Sequence, residues 1–237
     1  MNVGDMDRGL YIAASGMLTE QVRQDQIAND LANTSTAGYK ADRTTQQSFG
    51  EILLTNSVTG AAIGAQSTAV QVTGTVTDWT PQALKETGEP LDFAITGSGF
   101  FAVQTDNGTR YTRNGQFTAD VQGRLTTAAG DAVLGRNGQP IPVGADGKVD
   151  PRLLDVVLLT NPVKAGSSLV SGTPGAAAGE VAGQTRSAAL EGSGGNPTQA
   201  MVDMIASMRA YESGQKVIQS IDETLGKAAS SVGTVVG

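Results

Sequence analysis

The amino-acid sequence predicts an α+β fold in which α-helices at both ends of the chain form a coiled-coil layer and flank a central antiparallel β-rich domain of barrel or sandwich type. Near both ends, apolar residues recur every seven positions, a spacing typical of helices that pack along a seam. In the middle, glycines recur every seven to nine positions between residues 99 and 147, which indicates short antiparallel strands joined by turns. The 237 residues are enough for one or two domains with a sizeable core.

The first helix is predicted from about Asp7, as its N-cap, to about Asn33. Its apolar stripe is narrow, includes small residues and is interrupted by Gln24. The residues that define the stripe at intervals of seven, with one flanking residue, are Leu10, Met17, Gln24, Leu31 and Ile27. Thr, Ser and Gly residues between 34 and 38 are expected to end the helix.

The middle of the chain is predicted to contain two β regions. Residues 44–87 are assigned to an extended connecting region with short strands at 70–72 and 75–77. Residues 52–64 fit either the end of a helix or an irregular arm. A β-rich outer domain is assigned to residues 88–164, because Asn-Gly and Asp-Gly pairs, which favour hairpin turns, occur there four times.

The final part of the chain is predicted to be a linker followed by a second helix. Residues 165–196 are dominated by Gly, Ala and Ser, which indicates a return linker. The helix is expected from Pro197, a residue suited to a first turn, to about Ala229. Its apolar residues at intervals of seven are Met204, Tyr211, Ile218 and Leu225. Met201, Ile205 and Met208 widen this apolar surface, and Gln215 interrupts it. Residues 1–43 and 197–237 are therefore predicted to form one discontinuous helical assembly domain.

The two helical stripes have no evident place to be buried within one chain except against each other. Burial of the apolar side chains on one such helix is too small to offset the backbone entropy lost on ordering it. The helices are therefore expected to be marginal alone and well ordered in an assembly, the alternative being an ordinary two-helix layer packed on the β domain. The residues predicted to face neighbouring subunits are Leu10, Met17, Gln24, Ile27, Leu31 and Asn33 in the first helix, and Met201, Met204, Ile205, Met208, Tyr211, Gln215, Ile218 and Leu225 in the second.

The composition excludes several classes of function. The chain has no Cys and no His, so thiol nucleophiles, zinc–thiolate sites and histidine general bases are excluded. The net charge of -7 provides no basic footprint for nucleic acid. No residues are predicted as catalytic, cofactor-binding or metal-binding. No apolar run reaches the ~18 residues of a membrane span, and the first ten residues have no apolar region typical of a cleaved secretory signal.

Three separated parts of the sequence carry motifs that occur together in one known family. They are residues 10–17 and 26–40 near the start, residues 91–95, 99–101, 111–117 and 123–125 in the middle, and residues 201–205, 209–212, 216–218 and 222–223 near the end. Together, and in this order, they resemble the rod and hook proteins of the bacterial flagellar axis. Asp30 stands where that family usually has Asn.

The resemblance implies a non-enzymatic structural subunit of the basal-body rod, without cofactors, that transmits torque. It implies export through the flagellar type III apparatus without a cleaved signal peptide, and assembly with copies of itself and with other rod and hook–basal-body proteins. Residues 190–193, Pro197 and residues 200–206 favour the proximal rod protein. The alternatives are a distal rod or hook-type protein and, outside the family, a secreted β-rich binding module. A glycan-directed enzyme that uses Asp and Glu is a third possibility.

Overall fold

The computed structural model describes residues 3–55, 62–166, 168–175 and 181–234, and it contains two terminal helices with antiparallel β structure between them. Helix α1 spans Val3–Ala32 and helix α2 spans Pro197–Thr234. The predicted α+β class is thereby confirmed. Helix α1 starts before Asp7, so this residue lies inside the helix and is not its N-cap.

The chain divides into two compact units, each described by itself. The first comprises Met1–Leu31, Asp42–Val76 and Pro197–Gly237, and the second comprises Ala32–Ala41 and Thr77–Asn196. None of the helices in the described ranges is both long and apolar enough to cross a membrane.

Beside the helices, the first unit contains a two-stranded sheet of β1 (Asp42–Thr55) and β2 (Ala62–Thr77). The strands predicted at 70–72 and 75–77 are parts of β2. The segment 52–64, for which a helix end or an irregular arm was expected, contributes residues 52–55 to β1 and 62–64 to β2, and its remaining residues lie outside the described part of the chain.

The described strands of the second unit are β3 Leu84–Glu86, β4 Phe93–Thr96, β5 Phe100–Thr105, β6 Gly108–Thr112, β7 Phe117–Ala119, β8 Leu125–Thr127, β9 Ala132–Val133, β10 Val156–Val157, β11 Leu159–Lys164, β12 Leu169–Pro174, β13 Gln184–Ser187 and β14 Ala189–Glu191. Eight of them form one sheet in the order β11-β12-β6-β5-β9-β8-β7, with β10 also paired to β5. All strand pairs of this sheet are antiparallel. Two smaller sheets pair β13 with β4 and β14 with β3.

The sheet buries its apolar residues without closing into a barrel. Along β5, Phe101 and Val103 belong to one apolar cluster, whereas Phe100 and Ala102 belong to another, because successive side chains of a strand point to opposite faces. Both faces of the central strand are thus covered. Within the described residues, β11 and β7 end the strand order and do not pair with each other, so the predicted antiparallel β-rich domain of barrel or sandwich type is not a closed barrel.

The described part of the stretch 165–196, for which a linker was predicted, contains the strands β12, β13 and β14. Val170 of β12 pairs with Tyr111 of β6, and the residues of β14 pair with those of β3. Small residues can form these strands because the neighbouring strand supplies the backbone hydrogen bonds and most of the apolar contact. A 3₁₀ helix, η1 (Pro151–Leu153), precedes β10.

Candidate functional site

The two terminal helices contact each other through small residues. A Cβ atom built on Gly9 would lie 3.2 Å from Cδ1 of Ile221, and one on Gly214 would lie 2.8 Å from Cγ of Met17. Farther along α1, the Ser207 hydroxyl donates a hydrogen bond of 2.6 Å to the Glu20 carboxylate. The contacts run forward along α1 and backward along α2, so the helices are antiparallel. We call this line of contacts the inner seam.

The predicted interface residues divide into those that are half-buried or buried and those that are exposed. In α2, the four apolar residues that recur every seven positions are half-buried. Most of the predicted residues of α1 are half-buried as well, and Ile27 is buried. The half-buried residues are Leu10, Met17, Gln24, Leu31, Asn33, Met204, Tyr211, Ile218 and Leu225. The other four predicted residues, Met201, Ile205, Met208 and Gln215, are exposed. The predicted interface residues therefore differ in exposure, although the sequence predicted that all of them face neighbouring subunits.

A second apolar stripe, on α1, was missed in the sequence. Tyr11, Leu18 and Val22 are between 46% and 65% exposed. At 3.6 residues per turn they lie roughly on the opposite side of α1 from Met17 and Glu20, which contact α2. Their spacing of seven and four residues was visible in the sequence, but the stripe that contains Leu10 and Met17 concealed it. Together with Met201, Ile205 and Met208 of α2, these residues form what we call the outer stripes.

Gln24 was expected to interrupt the apolar seam of α1, and the structure shows a polar group without a partner there. Its side-chain nitrogen Nε2 is buried and makes no hydrogen bond within the described part of the chain. An unsatisfied buried donor costs about 1–3 kcal/mol. This residue is therefore a weak point of the first unit when the chain is alone.

The second unit contains a buried ionic group that the sequence analysis did not foresee. The Glu191 carboxylate accepts a hydrogen bond of 2.7 Å from Lys40 Nζ through Oε1, and it accepts another from Arg113 Nε through Oε2. The side chains of Lys40 and Arg113 are 4% exposed and that of Glu191 is 1% exposed. We call these three residues the root cluster, because Lys40 follows the end of α1 and Glu191 precedes α2.

Main-chain groups satisfy the remaining hydrogen-bonding capacity of the root cluster. The Gln82 amide donates to Glu191 Oε1 over 2.8 Å, and Lys40 Nζ donates to the Thr80 carbonyl over 2.7 Å. The guanidinium of Arg113 donates to the carbonyl oxygens of Ile95, Gly97 and Gly99. Polar groups buried in this way are tolerated because each has a partner.

The root cluster holds two cations and one carboxylate in a buried place. Burial lowers the pKa of Lys40 below its usual value, and the hydrogen bond and charge of Glu191 oppose this shift. The carboxylate is thus the one group among these three that stabilises the two positive charges. Loss of Glu191 would leave both cations buried without the carboxylate that pairs with them.

The backbone brings the segment after α1 and the segment before α2 together at the root cluster. The Gly38 amide donates to the Glu191 carbonyl over 3.0 Å, the Gly194 amide donates to the Tyr39 carbonyl over 2.8 Å, and the Ser193 hydroxyl donates to the Asn33 carbonyl over 2.9 Å. Gly38 has a φ of 65°, and a Cβ atom there would overlap the carbonyl of Arg113. Residues 33–40, Arg113 and residues 191–194 therefore meet at one point of the second unit.

Within the ranges that the structure describes, no three acidic side chains lie close enough together to hold a metal ion. The carboxylates of Asp222 and Glu223 are on an exposed part of α2. The arrangement is suited to holding chain segments together and to presenting apolar helix surfaces.

Three protein-family models match the chain. The model described as flagella basal body rod protein matches residues 10–40, that of the flagellar hook protein FlgE/F/G D1 domain matches residues 94–151, and that of the flagellar basal body rod FlgEFG protein C-terminal matches residues 186–231. Lys40, Arg113 and Glu191 each fall within one of these three matches.

Several curated proteins that are similar to this chain over nearly its whole length are flagellar basal-body rod proteins. The flagellar basal-body rod protein FlgG of Bacillus subtilis (strain 168) is 34% identical, over 93% of this chain and 97% of its own length. The rod proteins FlgF of Caulobacter vibrioides and of Escherichia coli (strain K12) are 32% and 33% identical, over 97% and 94% of this chain and 100% and 97% of their own lengths.

Proposed function

Because this chain belongs to the flagellar basal-body rod protein family, we propose that it is a structural subunit of the bacterial flagellar rod and joins the rod through its two terminal helices. The observation that carries the proposal is the pair of outer stripes. The inner seam already occupies one side of each helix, and large apolar side chains are still about half exposed elsewhere on both helices. Repeated apolar exposure on helices is typical of surfaces that bind other helices.

The two groups of predicted interface residues have different roles in this proposal. The half-buried residues of the inner seam, Met204 and Tyr211 among them, hold the two helices of one subunit together. The exposed Met201, Ile205 and Met208, with Tyr11, Leu18 and Val22 of α1, face neighbouring subunits. In the rod, the helices of many subunits then form a coiled-coil tube.

The finer parts of the function follow from the family. We propose that the subunit is not an enzyme, that it occupies the proximal rod of the basal body, and that it passes through the type III export apparatus without losing a signal peptide. Its partners are then copies of itself and other rod and hook–basal-body proteins. Relatives named FlgG and FlgF match at similar identity, so the proximal position stays a prediction.

A charge introduced into an outer stripe tests the proposal. In cells that lack the native gene, a chain carrying Ile205→Asp and Met208→Asp is expected to be absent from purified basal bodies and to leave the cells non-motile, since a buried unpaired carboxylate is strongly unfavourable. The purified variant should keep its unfolding free energy within about 0.5 kcal/mol, because both side chains are exposed in the single chain.

The matched control is Val121→Asp, a change at a fully exposed valine in the second unit. This variant should be incorporated normally. Normal incorporation of the double helix variant would refute assembly through the outer stripes. Removal of residues 201–237 should likewise abolish incorporation.

A further inference from the structure

A cavity of 730 Å³ lies in the second unit beside the start of β13. Its walls are the turn after β9, which carries Arg136, the 3₁₀ helix η1, and backbone and side chains from Ala182 to Thr185. A backbone hydrogen bond of 3.2 Å from the Arg136 amide to the Leu153 carbonyl holds the turn against η1. The cavity is therefore formed by segments that the fold fixes.

Two arginines line this cavity, and among the described residues no carboxylate is bound to either guanidinium. Within the described part of the chain, the side chains of Arg136 and Arg152 make no hydrogen bond and no ion pair. In the same unit, Arg113, Arg124 and Arg186 are each paired with a carboxylate. The Asp150 carboxylate, next to Arg152 in sequence, accepts from the backbone amide of Arg152.

Among the described residues that line the cavity, Asp155 is the only acidic one. Asp155 is half-buried, and burial raises the pKa of its carboxyl above the usual value while Arg136 opposes the shift. Among the described residues, the cavity lining thus carries two guanidinium groups and one carboxyl group. It is a positive region of a protein whose net charge is -7, and guanidinium pairs of this kind bind carboxylates.

A smaller apolar cavity lies directly beside the first. It has a volume of 230 Å³, includes Ile141, Leu153 and two prolines in its walls, and shares Arg136 and Arg152 with the larger cavity. The two arginines therefore stand between a charged region and an apolar region. A free inorganic anion would use only the first, whereas a protein segment with a carboxylate next to an apolar side chain would fill both.

One exposed turn of the same unit has this chemistry. Glu89 and Pro90 are both exposed, and the Glu89 carboxylate makes no hydrogen bond within the described residues. The turn is fixed, because the amides of Thr87 and Gly88 both donate to the Ala188 carbonyl and the Glu89 amide donates to the Thr87 hydroxyl. It presents a carboxylate and a proline ring with little entropy left to lose on binding.

We infer that Arg136 and Arg152 form a docking site for the Glu89–Pro90 turn of a second copy of this chain. The carboxylate of Glu89 lies between the guanidinium groups, and Pro90 packs against the apolar cavity. The inference rests on the proposed function in one respect, since the terminal helices bring copies of the chain together. It adds a contact between second units to the contacts between helices.

Disulfide cross-linking of the full-length protein tests the contact, because the chain has no cysteine of its own. A tagged chain with Thr185→Cys, in the cavity wall, is mixed with an untagged chain with Pro90→Cys, so that only a contact between copies joins the two thiols. The control is an untagged chain with Asp106→Cys, an exposed position in another turn. The mixed dimer is expected in clear excess for Pro90→Cys over Asp106→Cys.

Charge reversal identifies the residues that make the contact. Arg152→Glu or Arg136→Glu in the tagged chain should lower the yield of mixed dimer by about tenfold, as expected for loss of a charge-assisted contact. Lys148→Glu, an exposed residue with the same change in charge, should leave the yield unchanged. Urea unfolding of each variant shows whether it is folded. A lower yield in both arginine variants is attributed to the contact and not to a local defect of one variant.

Equal yields for Pro90→Cys and Asp106→Cys would overturn the inference, and so would an undiminished yield in both arginine variants. The result is independent of the test of the outer stripes. Cross-linking is measured on soluble chains, whereas incorporation is measured in cells. If the chain with Ile205→Asp and Met208→Asp enters basal bodies normally, assembly through the helices is refuted while the cross-linking result still decides this contact.

Discussion

Replacement of Glu191 by Gln removes the negative charge of the root cluster and changes little else in its shape. The carboxylate is 1% exposed and accepts hydrogen bonds from Lys40, from Arg113 and from the Gln82 amide. The amide group of Gln would leave the two buried cations without the carboxylate that pairs with them and would direct its own donor towards one of them. Removal of one partner from a buried ion pair costs about 3–5 kcal/mol. We expect the unfolding free energy of the second unit to fall by about that amount, which is a large part of the roughly 5–15 kcal/mol typical of a folded domain.

Urea unfolding monitored by tryptophan fluorescence measures this change directly. Trp79 is the only tryptophan and lies in the second unit, where its ring meets that of Phe100 edge to face at 5.7 Å. The matched control is Glu86→Gln, which breaks the exposed ion pair with Arg186 and should cost no more than about 1 kcal/mol. The slope of the unfolding free energy against urea should be the same in all three proteins.

A second change distinguishes the loss of charge from the loss of packing. Lys40→Met in the Glu191→Gln background removes one of the two uncompensated cations, so part of the lost stability should return. If Glu191→Gln and Glu86→Gln destabilise the protein equally, or if Lys40→Met lowers stability further, the buried carboxylate does not have the role described.

Three further predictions concern the apolar core, the inner seam and one carboxyl group. Phe101→Ala, at a fully buried ring that meets Phe117 edge to face at 5.3 Å, should lower the unfolding free energy measured in urea by about 3–5 kcal/mol. Gly214→Val should push Met17 away and accelerate amide hydrogen exchange in both helices, whereas the urea midpoint reported by tryptophan fluorescence should not move. Because burial raises the pKa of Asp155 in the folded state, the folded protein binds more protons than the unfolded chain just above the usual carboxyl pKa, and stability falls as the pH rises through the folded value. Asp155→Asn should therefore be more stable than the parent at neutral pH, and a difference that does not shrink on acidification would contradict this account.

The sequence predicted the helices and strands that are indicated by residues close together in the chain. Both helices, their ends near Asn33 and at Pro197, and the antiparallel strands between them follow from spacing, turn residues and caps. The contact surface of α2 was predicted only in part. Ser207 and Gly214 lie on the inner seam because they are small, and a search for apolar residues does not detect small or polar ones.

Features that depend on distant residues were not predictable in this way. The strands within 165–196 exist because β12 and β14 pair with β6 and β3, and their composition alone resembles that of a linker. The burial of Glu191 depends on Lys40 and Arg113, which are 151 and 78 positions away in the chain. The motifs that carried the family resemblance marked these residues, but nothing local indicated that they meet.

The order of the root cluster along the chain has a consequence for incomplete proteins. Its two positive residues are synthesised long before Glu191, which provides their neutralising charge. A ribosome that stops early releases a product that can form most of its β strands but lacks the carboxylate that pairs with Lys40 and Arg113. Such fragments should stay open to cellular proteases, so the cell can remove defective subunits before they compete with intact ones for a place in the growing structure.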